Sequence, residues 1–206
     1  MTIRPERRNA AGHMTQSKTE WRRRLLALRA AIPEERRRLG SDAVVARLRG
    51  LRCLREASTV LGYVAIGTEV QPAALFVSGL PAGARLLMPS ARSKEGSPVW
   101  VPAAGPSGRD APGLSARQLT FPVVAIVPGV GFDRRGTRLG RGGGFYDRAL
   151  ADLRAAGAIT AIGLAYELQI VEDLPRDAWD EAVDIVVSEA RVVLPRSGRR
   201  SIREAP

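Results

Sequence analysis

The residue types best suited to chemistry lie in one stretch, Val127-Pro-Gly-Val-Gly-Phe-Asp-Arg-Arg-Gly-Thr-Arg-Leu-Gly-Arg-Gly-Gly-Gly-Phe-Tyr-Asp-Arg148. Gly140, Gly142, Gly143 and Gly144 stand within five positions. Such a run lets the backbone take positive φ and turn successive N–H groups inward on an anion. The start of a following helix adds partial positive charge. Arg138 and Arg141 flank the glycines and can bracket phosphate oxygens with paired hydrogen bonds. Asp147, just inside that helix, is placed to hold the Mg²⁺ of a bound nucleotide. The stretch matches neither G-x-x-x-x-G-K-[ST] nor G-x-G-x-x-G, since Phe145 stands where the third glycine of the latter belongs. An anion cradle is therefore one physical reading; a flexible glycine turn with solvated arginines is the other.

Composition removes several chemistries. The 206 residues include one Cys (Cys53) and one His (His13, in a polar stretch near the N-terminus), which argues against a disulfide framework, a Cys-rich or His-ligated zinc site and a His general base. No apolar run reaches the roughly eighteen residues of a membrane span. Apolar residues make up 45% of the chain, enough for one domain with its own core.

The net charge of +11 is unevenly placed. Residues 1–55 carry 15 Lys and Arg against 5 Asp and Glu, residues 56–195 carry 13 against 15, and residues 196–206 carry 4 against 1. Basic helices attract polyanions, so an RNA-associated protein is one reading. A solvated charged face is the simpler one. Aromatic residues at 5% leave little for base stacking, and nucleic acid is not the expected partner.

The cradle needs a scaffold. Residues 1–16 read as a disordered tail or tag, with Met14 a candidate start, and no secretory signal follows. From Lys18, Trp21, Leu25, Leu28 and Ile32 form a helical apolar stripe. Pro33-Glu34-Glu35 opens a second helix, which runs to about Gly50. Strands are expected at Thr59–Ile66, Arg85–Pro89, Val99–Pro102, Val123–Val127, Ile159–Ala165 and Asp184–Val187. Helices are expected at Ala73–Val77 and from about Gly144 to Ala156, with an irregular excursion over residues 103–120. The all-apolar Val123–Val127 suits a strand buried on both faces. Alternating strands and helices predict a three-layer αβα domain with a mainly parallel sheet, spanning residues 17–195, followed by a basic tail at 196–206. The cradle then lies after a strand, where open α/β sheets bind ligands.

Val-Pro-Gly-x-x-Phe-Asp-x-x-Gly-x-Arg-Leu-Gly-x-Gly-Gly-Gly-[YF]-Tyr-Asp-Arg resembles the signature of the 5-formyltetrahydrofolate cyclo-ligase family. Further resemblances follow in order: Lys18-x-x-Trp21-Arg22, Gly62-Tyr63 with Glu69-Val70, Ile162-Gly-Leu-Ala-Tyr166, Gln169, Leu174-Pro175, and Asp180 with Asp184-Ile-Val-Val-Ser-Glu189. The resemblance covers about residues 18–190. It implies a NagB/RpiA/CoA-transferase-like architecture, usually monomeric. It also implies ATP- and Mg²⁺-dependent conversion of 5-formyltetrahydrofolate to 5,10-methenyltetrahydrofolate with release of ADP and phosphate. The partners implied are ATP and a reduced folate, with no membrane, and the cytoplasm is the expected compartment.

By the same resemblance, Lys18, Arg22 and Arg138, Leu139, Gly140, Arg141, Gly142, Gly143, Gly144, Phe145 and Tyr146 bind ATP. Arg141 is the expected catalytic group, stabilising the phosphoryl group in transfer. Val64, Glu69 and Arg141 through Phe145 border the folate; a Glu69 carboxylate can accept two hydrogen bonds from an amino-pyrimidine edge. Asp147 and Asp184 correspond to Mg²⁺ ligands, although either also reads as a helix N-terminal acid or a strand-end cap. The chain departs from the family pattern at Gln71-Pro72, at Gly113–Arg117, and at Val123, Phe145 and Trp179. An ATP-binding relative acting on another formyl or amide substrate is the alternative these departures keep open.

Overall fold

The computed structural model describes residues 16–90, 98–103 and 113–195. The two expected tails, apart from Gln16, lie outside the described residues, as does half of the excursion over 103–120.

Ser17 starts helix α1 (Lys18–Ala30): its hydroxyl accepts from the Glu20 N–H, and the Glu20 carboxylate accepts from the Ser17 N–H at 2.7 Å. This reciprocal cap satisfies N–H groups the helix cannot pair itself. Pro33 precedes α2 (Glu34–Gly50), and the short α3 (Arg52–Arg55) leads to strand β1 (Thr59–Leu61). There follow α4 (Ala73–Ser78), β2 (Arg85–Ser90), β3 (Val99–Pro102), β4 (Val123–Pro128), β5 (Gly131–Asp133), β6 (Arg138–Leu139) and α5 (Phe145–Ala156). Strands β7 (Ile159–Leu164), β8 (Ile170–Val171), β9 (Ile185–Val187) and β10 (Val192–Val193) complete the described elements.

The main sheet runs β10-β9-β7-β4-β1-β2-β3. Its five inner strands are parallel, and β3 and β10 close the edges antiparallel. Strand β4 shows why the sheet is buried on both faces. Val123, Ala125 and Val127 pack with Leu150 and Leu153 of α5, while Val124 and Ile126 pack with Val44 and Leu48 of α2. Alternate residues of one strand thus feed two helical layers, which is the αβα arrangement expected.

The chain goes from β1 to β2 on one side and later returns through β4 on the other, so the strand order reverses between β1 and β4. Helices and loops diverge at such a point and leave a crevice off the carboxyl ends of the strands. A second sheet, β6-β5-β8, covers one side of it. Leu25 of α1 packs there with Val130, Leu139 and Leu174.

Three expectations are modified. Strand β1 ends at Leu61 rather than Ile66: the chain leaves the sheet, buries Tyr63 with its hydroxyl on the Val70 carbonyl at 2.7 Å, and exposes Val64 and Ile66 along the crevice. The stripe of α1 also rotates. Leu28 is 44% exposed, and Arg29 is buried beside Leu25 because its guanidinium reaches the Thr68 hydroxyl and the Gly129 carbonyl. Strands β5 and β6, inside the glycine-bearing stretch, carry too few residues to show a period.

Candidate active site

The crevice at the β1/β4 reversal is a cleft of about 690 Å³. Four elements supply its polar wall. Helix α1 presents Lys18 and Arg22, one turn apart. The loop after β1 presents Glu69, which Tyr63 and the Ile66 N–H help to place. Strand β6 and the loop to α5 present Arg138 through Asp147, and the turn before β9 presents Asp177, Trp179 and Asp180.

Contacts order these groups along the cleft. At one end Arg141 donates through Nε and Nη2 to Glu69 Oε1 at 3.1 and 2.9 Å. The neighbouring Gly140 carbonyl accepts from Arg22 Nε at 2.8 Å. One turn back on α1, Lys18 Nζ donates to Asp177 at 2.9 Å and to Asp180. Beside them Arg138 Nη2 donates to Asp147 Oδ1 at 2.8 Å, and the Glu181 N–H approaches the same oxygen at 3.3 Å. The cleft therefore has a Glu69 end and an Asp177–Asp180 end, with the glycines between.

The glycine loop has the backbone freedom the sequence suggested. Gly142 and Gly144 sit at φ of +109° and +64°, where side-chain-bearing residues are strained. Gly144 caps α5 without any side-chain hydrogen bond, leaving the first-turn N–H groups available to an anion. Arg138 is 5% exposed and its Nε has no hydrogen-bond partner among the described residues. An unpaired buried donor in an otherwise satisfied structure is costly, so an incoming acceptor is favoured there. The Arg138 guanidinium also lies 5.6 Å from the Tyr146 ring centre.

Burial opposes charge on Lys18, but hydrogen bonds and attraction from Asp177 and Asp180 outweigh it, and its pKa is raised. Burial, together with the Glu69 charge, pushes the Tyr63 and Tyr146 phenols well up, against weaker opposition from nearby arginines. Both phenols are hydrogen-bond donors at neutral pH, not bases. Burial also pulls the Arg29 pKa down, with Glu69 opposing.

All the nucleotide- and folate-facing residues expected from the sequence line this one cleft: Lys18, Arg22, Val64, Glu69 and Arg138 through Tyr146. Asp147 joins them. Asp184 does not. It stands at the amino end of β9, accepts from the Ala161 N–H at 2.7 Å and pairs with Arg154 near the end of α5. Asp184 thus takes the strand-end cap position that the sequence also allowed, outside the cleft that Asp147 lines. Among the described residues no three His, Cys, Asp or Glu side chains cluster as a metal cage.

The sequence singled out neither Asp177 nor Arg29. Several of the arginines that suggested RNA are committed elsewhere: Arg29 is buried, Arg38 pairs with Glu35 and Asp42, and Arg52 pairs with Glu56. Of the departures, Phe145 and Trp179 line the cleft, whereas Gln71, Pro72 and Val123 do not.

An arginine-flanked glycine cradle thus lies at the reversal point of a parallel sheet and opens on a partly apolar cleft, an α/β arrangement suited to an anionic ligand. A model of the 5-formyltetrahydrofolate cyclo-ligase family matches residues 14–189, and the chain belongs to that family. It is 31% identical over 195 residues to the 5-formyltetrahydrofolate cyclo-ligase of Mycolicibacterium smegmatis, covering 87% of this chain and 97% of that one. Over 65 residues it is 48% identical to the Haemophilus influenzae cyclo-ligase, 31% of this chain and 34% of the relative. The solution structure of Aquifex aeolicus 5,10-methenyltetrahydrofolate synthetase superposes with a TM-score of 0.72 at 32% identity, over 91% of this chain and 97% of that one. A Mycoplasma pneumoniae synthetase shares the fold at a TM-score of 0.68 and 22% identity, over 84% of this chain and 99% of its own. No helix among the described residues is long and apolar enough to cross a membrane.

Proposed function

We propose that this enzyme converts 5-formyltetrahydrofolate and ATP to 5,10-methenyltetrahydrofolate, ADP and phosphate in this cleft. The formyl oxygen attacks the γ-phosphorus and ADP leaves. N10 then attacks the activated formyl carbon, the C–O bond breaks with loss of phosphate, and N10 releases its proton. The chemistry asks for positioning and charge neutralisation more than for a strong base. That suits a cleft built from arginines, a lysine and backbone N–H groups.

Gly140, Gly142, Gly143 and Gly144 with the start of α5 cradle the phosphates, and Lys18, Arg22 and Arg138 neutralise them. Leu139, Phe145 and Tyr146 shape the same wall. Arg141 can release Glu69 and turn its fork onto the transferring phosphoryl group. Glu69, freed by that motion, accepts hydrogen bonds from the pterin edge, and Val64 lies along its face. Phe145 packs edge-on to Trp100 and Tyr146, so this position contributes an apolar wall and no hydroxyl.

Mg²⁺ is tested by its donors. Asp147 Oδ2 has no hydrogen bond among the described residues, and Mg²⁺ characteristically uses one or two carboxylates plus substrate phosphates. Asp147 therefore fits as its protein ligand, and the ion would supply further neutralisation of phosphate charge. By the same reading the enzyme is a monomer working in the cytoplasm.

The observation that carries this reading is the convergence of Lys18, Arg22, Arg138 and Arg141 on the glycine loop in a chain of this family. Its test is absorbance during incubation with 5-formyltetrahydrofolate, Mg²⁺ and ATP. A near-ultraviolet methenyl band that grows only with ATP supports it. Folded protein that binds ATP and yields no band contradicts it and moves the search to other formyl or amide substrates.

A further inference from the structure

Trp179 is the largest apolar side chain left open at the cleft, 73% exposed. Its backbone is not loose. The Asp180 N–H donates to the Asp177 carbonyl at 3.2 Å, and the Asp180 carboxylate accepts from the Asp177 N–H at 2.7 Å. Lys18 binds both carboxylates, and Arg176 donates to the Asp180 carbonyl at 3.0 Å. A four-residue turn fastened at both ends thus carries an indole into solvent. Among the described residues no aromatic ring or guanidinium stacks on it. An exposed large apolar group on a braced turn is informative where a scattered surface leucine is not.

The order of groups along the cleft says what it meets. Phosphates occupy the middle, against the glycines, Lys18 and Arg22. A nucleotide's base must then extend towards one end. The Glu69 end offers a carboxylate in an apolar setting of Val64 and Ile66, matched to an amino-pyrimidine edge. The opposite end offers a flat, unpartnered indole one short turn from the phosphate-binding lysine. Purines stack on such rings without needing a particular hydrogen-bond code.

We infer that Trp179 is the stacking platform for the adenine of ATP, so that the two heterocyclic substrates dock at opposite ends of one cleft. This rests on the reading that the cleft binds ATP. The lysine that grips the phosphates also braces the turn beneath the base, which links the two parts of nucleotide recognition.

The test compares wild type with W179A and W179F by calorimetric titration, using ATP and, separately, inorganic tripolyphosphate, each with Mg²⁺. Tripolyphosphate keeps the phosphates and lacks the base. W179A is expected to weaken ATP about tenfold, the order of one lost stack, and to leave tripolyphosphate within twofold. W179F retains most of the ATP affinity. Unchanged ATP binding in W179A, equal weakening of both ligands, or weakening of 5-formyltetrahydrofolate instead would each overturn the inference, as would a wild type that binds no ATP. ATP binding that depends on Trp179 in a wild type making no methenyl product supports the stacking site and contradicts the proposed reaction.

Discussion

Arg141 and Glu69 hold each other across the cleft, with two guanidinium nitrogens on one carboxylate oxygen at 2.9 and 3.1 Å. Glu69 is 6% exposed and the Arg141 side chain 50%, so the arginine is the partner with room to turn. In this pair the group proposed for the phosphoryl oxygens masks the group proposed for the pterin. Arrival of either substrate competes with the pair.

Separate kinetic signatures follow. R141A removes a donor that acts on developing phosphoryl charge, and kcat should fall by about 10²–10³-fold. R141K keeps the charge without the fork and should recover only part of that loss. E69Q should raise KM for 5-formyltetrahydrofolate more than KM for ATP. Steady-state kinetics with each substrate varied separately reads both; a purely structural pair would move neither constant in folded protein.

Two adjacent glycines of the cradle separate folding from binding. Gly144 has φ of +64°, whereas Gly143 has no positive φ and a Cβ there would meet nothing within 4 Å. G144A should lower folding stability by about 1–2 kcal/mol through backbone strain. G143A should stay within about 0.5 kcal/mol of wild type and still raise KM for ATP by placing a methyl in the cradle. Denaturant melts together with ATP titration check both.

Arg29 is predicted to position the site more than to stabilise the fold. It donates to Thr68, next to Glu69, and to the Gly129 carbonyl, which also accepts from Gln169 at 3.1 Å. R29M therefore leaves that carbonyl partnered and removes a charge whose burial is itself costly, which limits the net loss to about 2 kcal/mol. It also unties the β1 loop from the β4 loop. KM for the folate should rise severalfold while KM for ATP changes little, and the Lys variant should restore part of the loss. Equal effects on both substrates would contradict the role.

The alkaline limit of stability has a definite sign. Tyr63, Tyr146 and Lys18 all have folded pKa values above their ordinary values of 10.0, 10.0 and 10.5. As pH rises past those ordinary values, the unfolded chain releases protons that the folded one retains, so folding weakens. These groups contribute no pH dependence between about pH 7 and 9. Melting temperature should fall as pH climbs above about 10, and a Y63F/Y146F variant should show a shallower fall.

The glycine cradle was legible because its chemistry is local: residue types and spacing within 138–147 define it before any fold is known. The parallel sheet was legible from apolar runs such as Val123–Val127, which only burial on both faces explains. Asp177 and Trp179 were not legible as site residues. They meet the Lys18 end of the cleft across some 159 positions, and nothing in their own neighbourhood signals a cleft. Arg29 reads in sequence as another arginine of a basic helix; its place one turn after Leu25 was the available sign that it faces inward. Asp184 is the converse case. Its match to a metal-binding position was clear, yet the start of β9 uses it to hold the Ala161 N–H and Arg154.

The most direct test of the proposed chemistry follows one atom. 5-Formyltetrahydrofolate labelled with ¹⁸O at the formyl oxygen should, in the presence of Mg²⁺ and unlabelled ATP, transfer that label to inorganic phosphate as methenyl product forms. One labelled oxygen should appear per phosphate, with none in ADP. Methenyl product accompanied by unlabelled phosphate would contradict phosphorylation of the formyl oxygen, and with it the proposed roles of Arg141 and the glycine cradle.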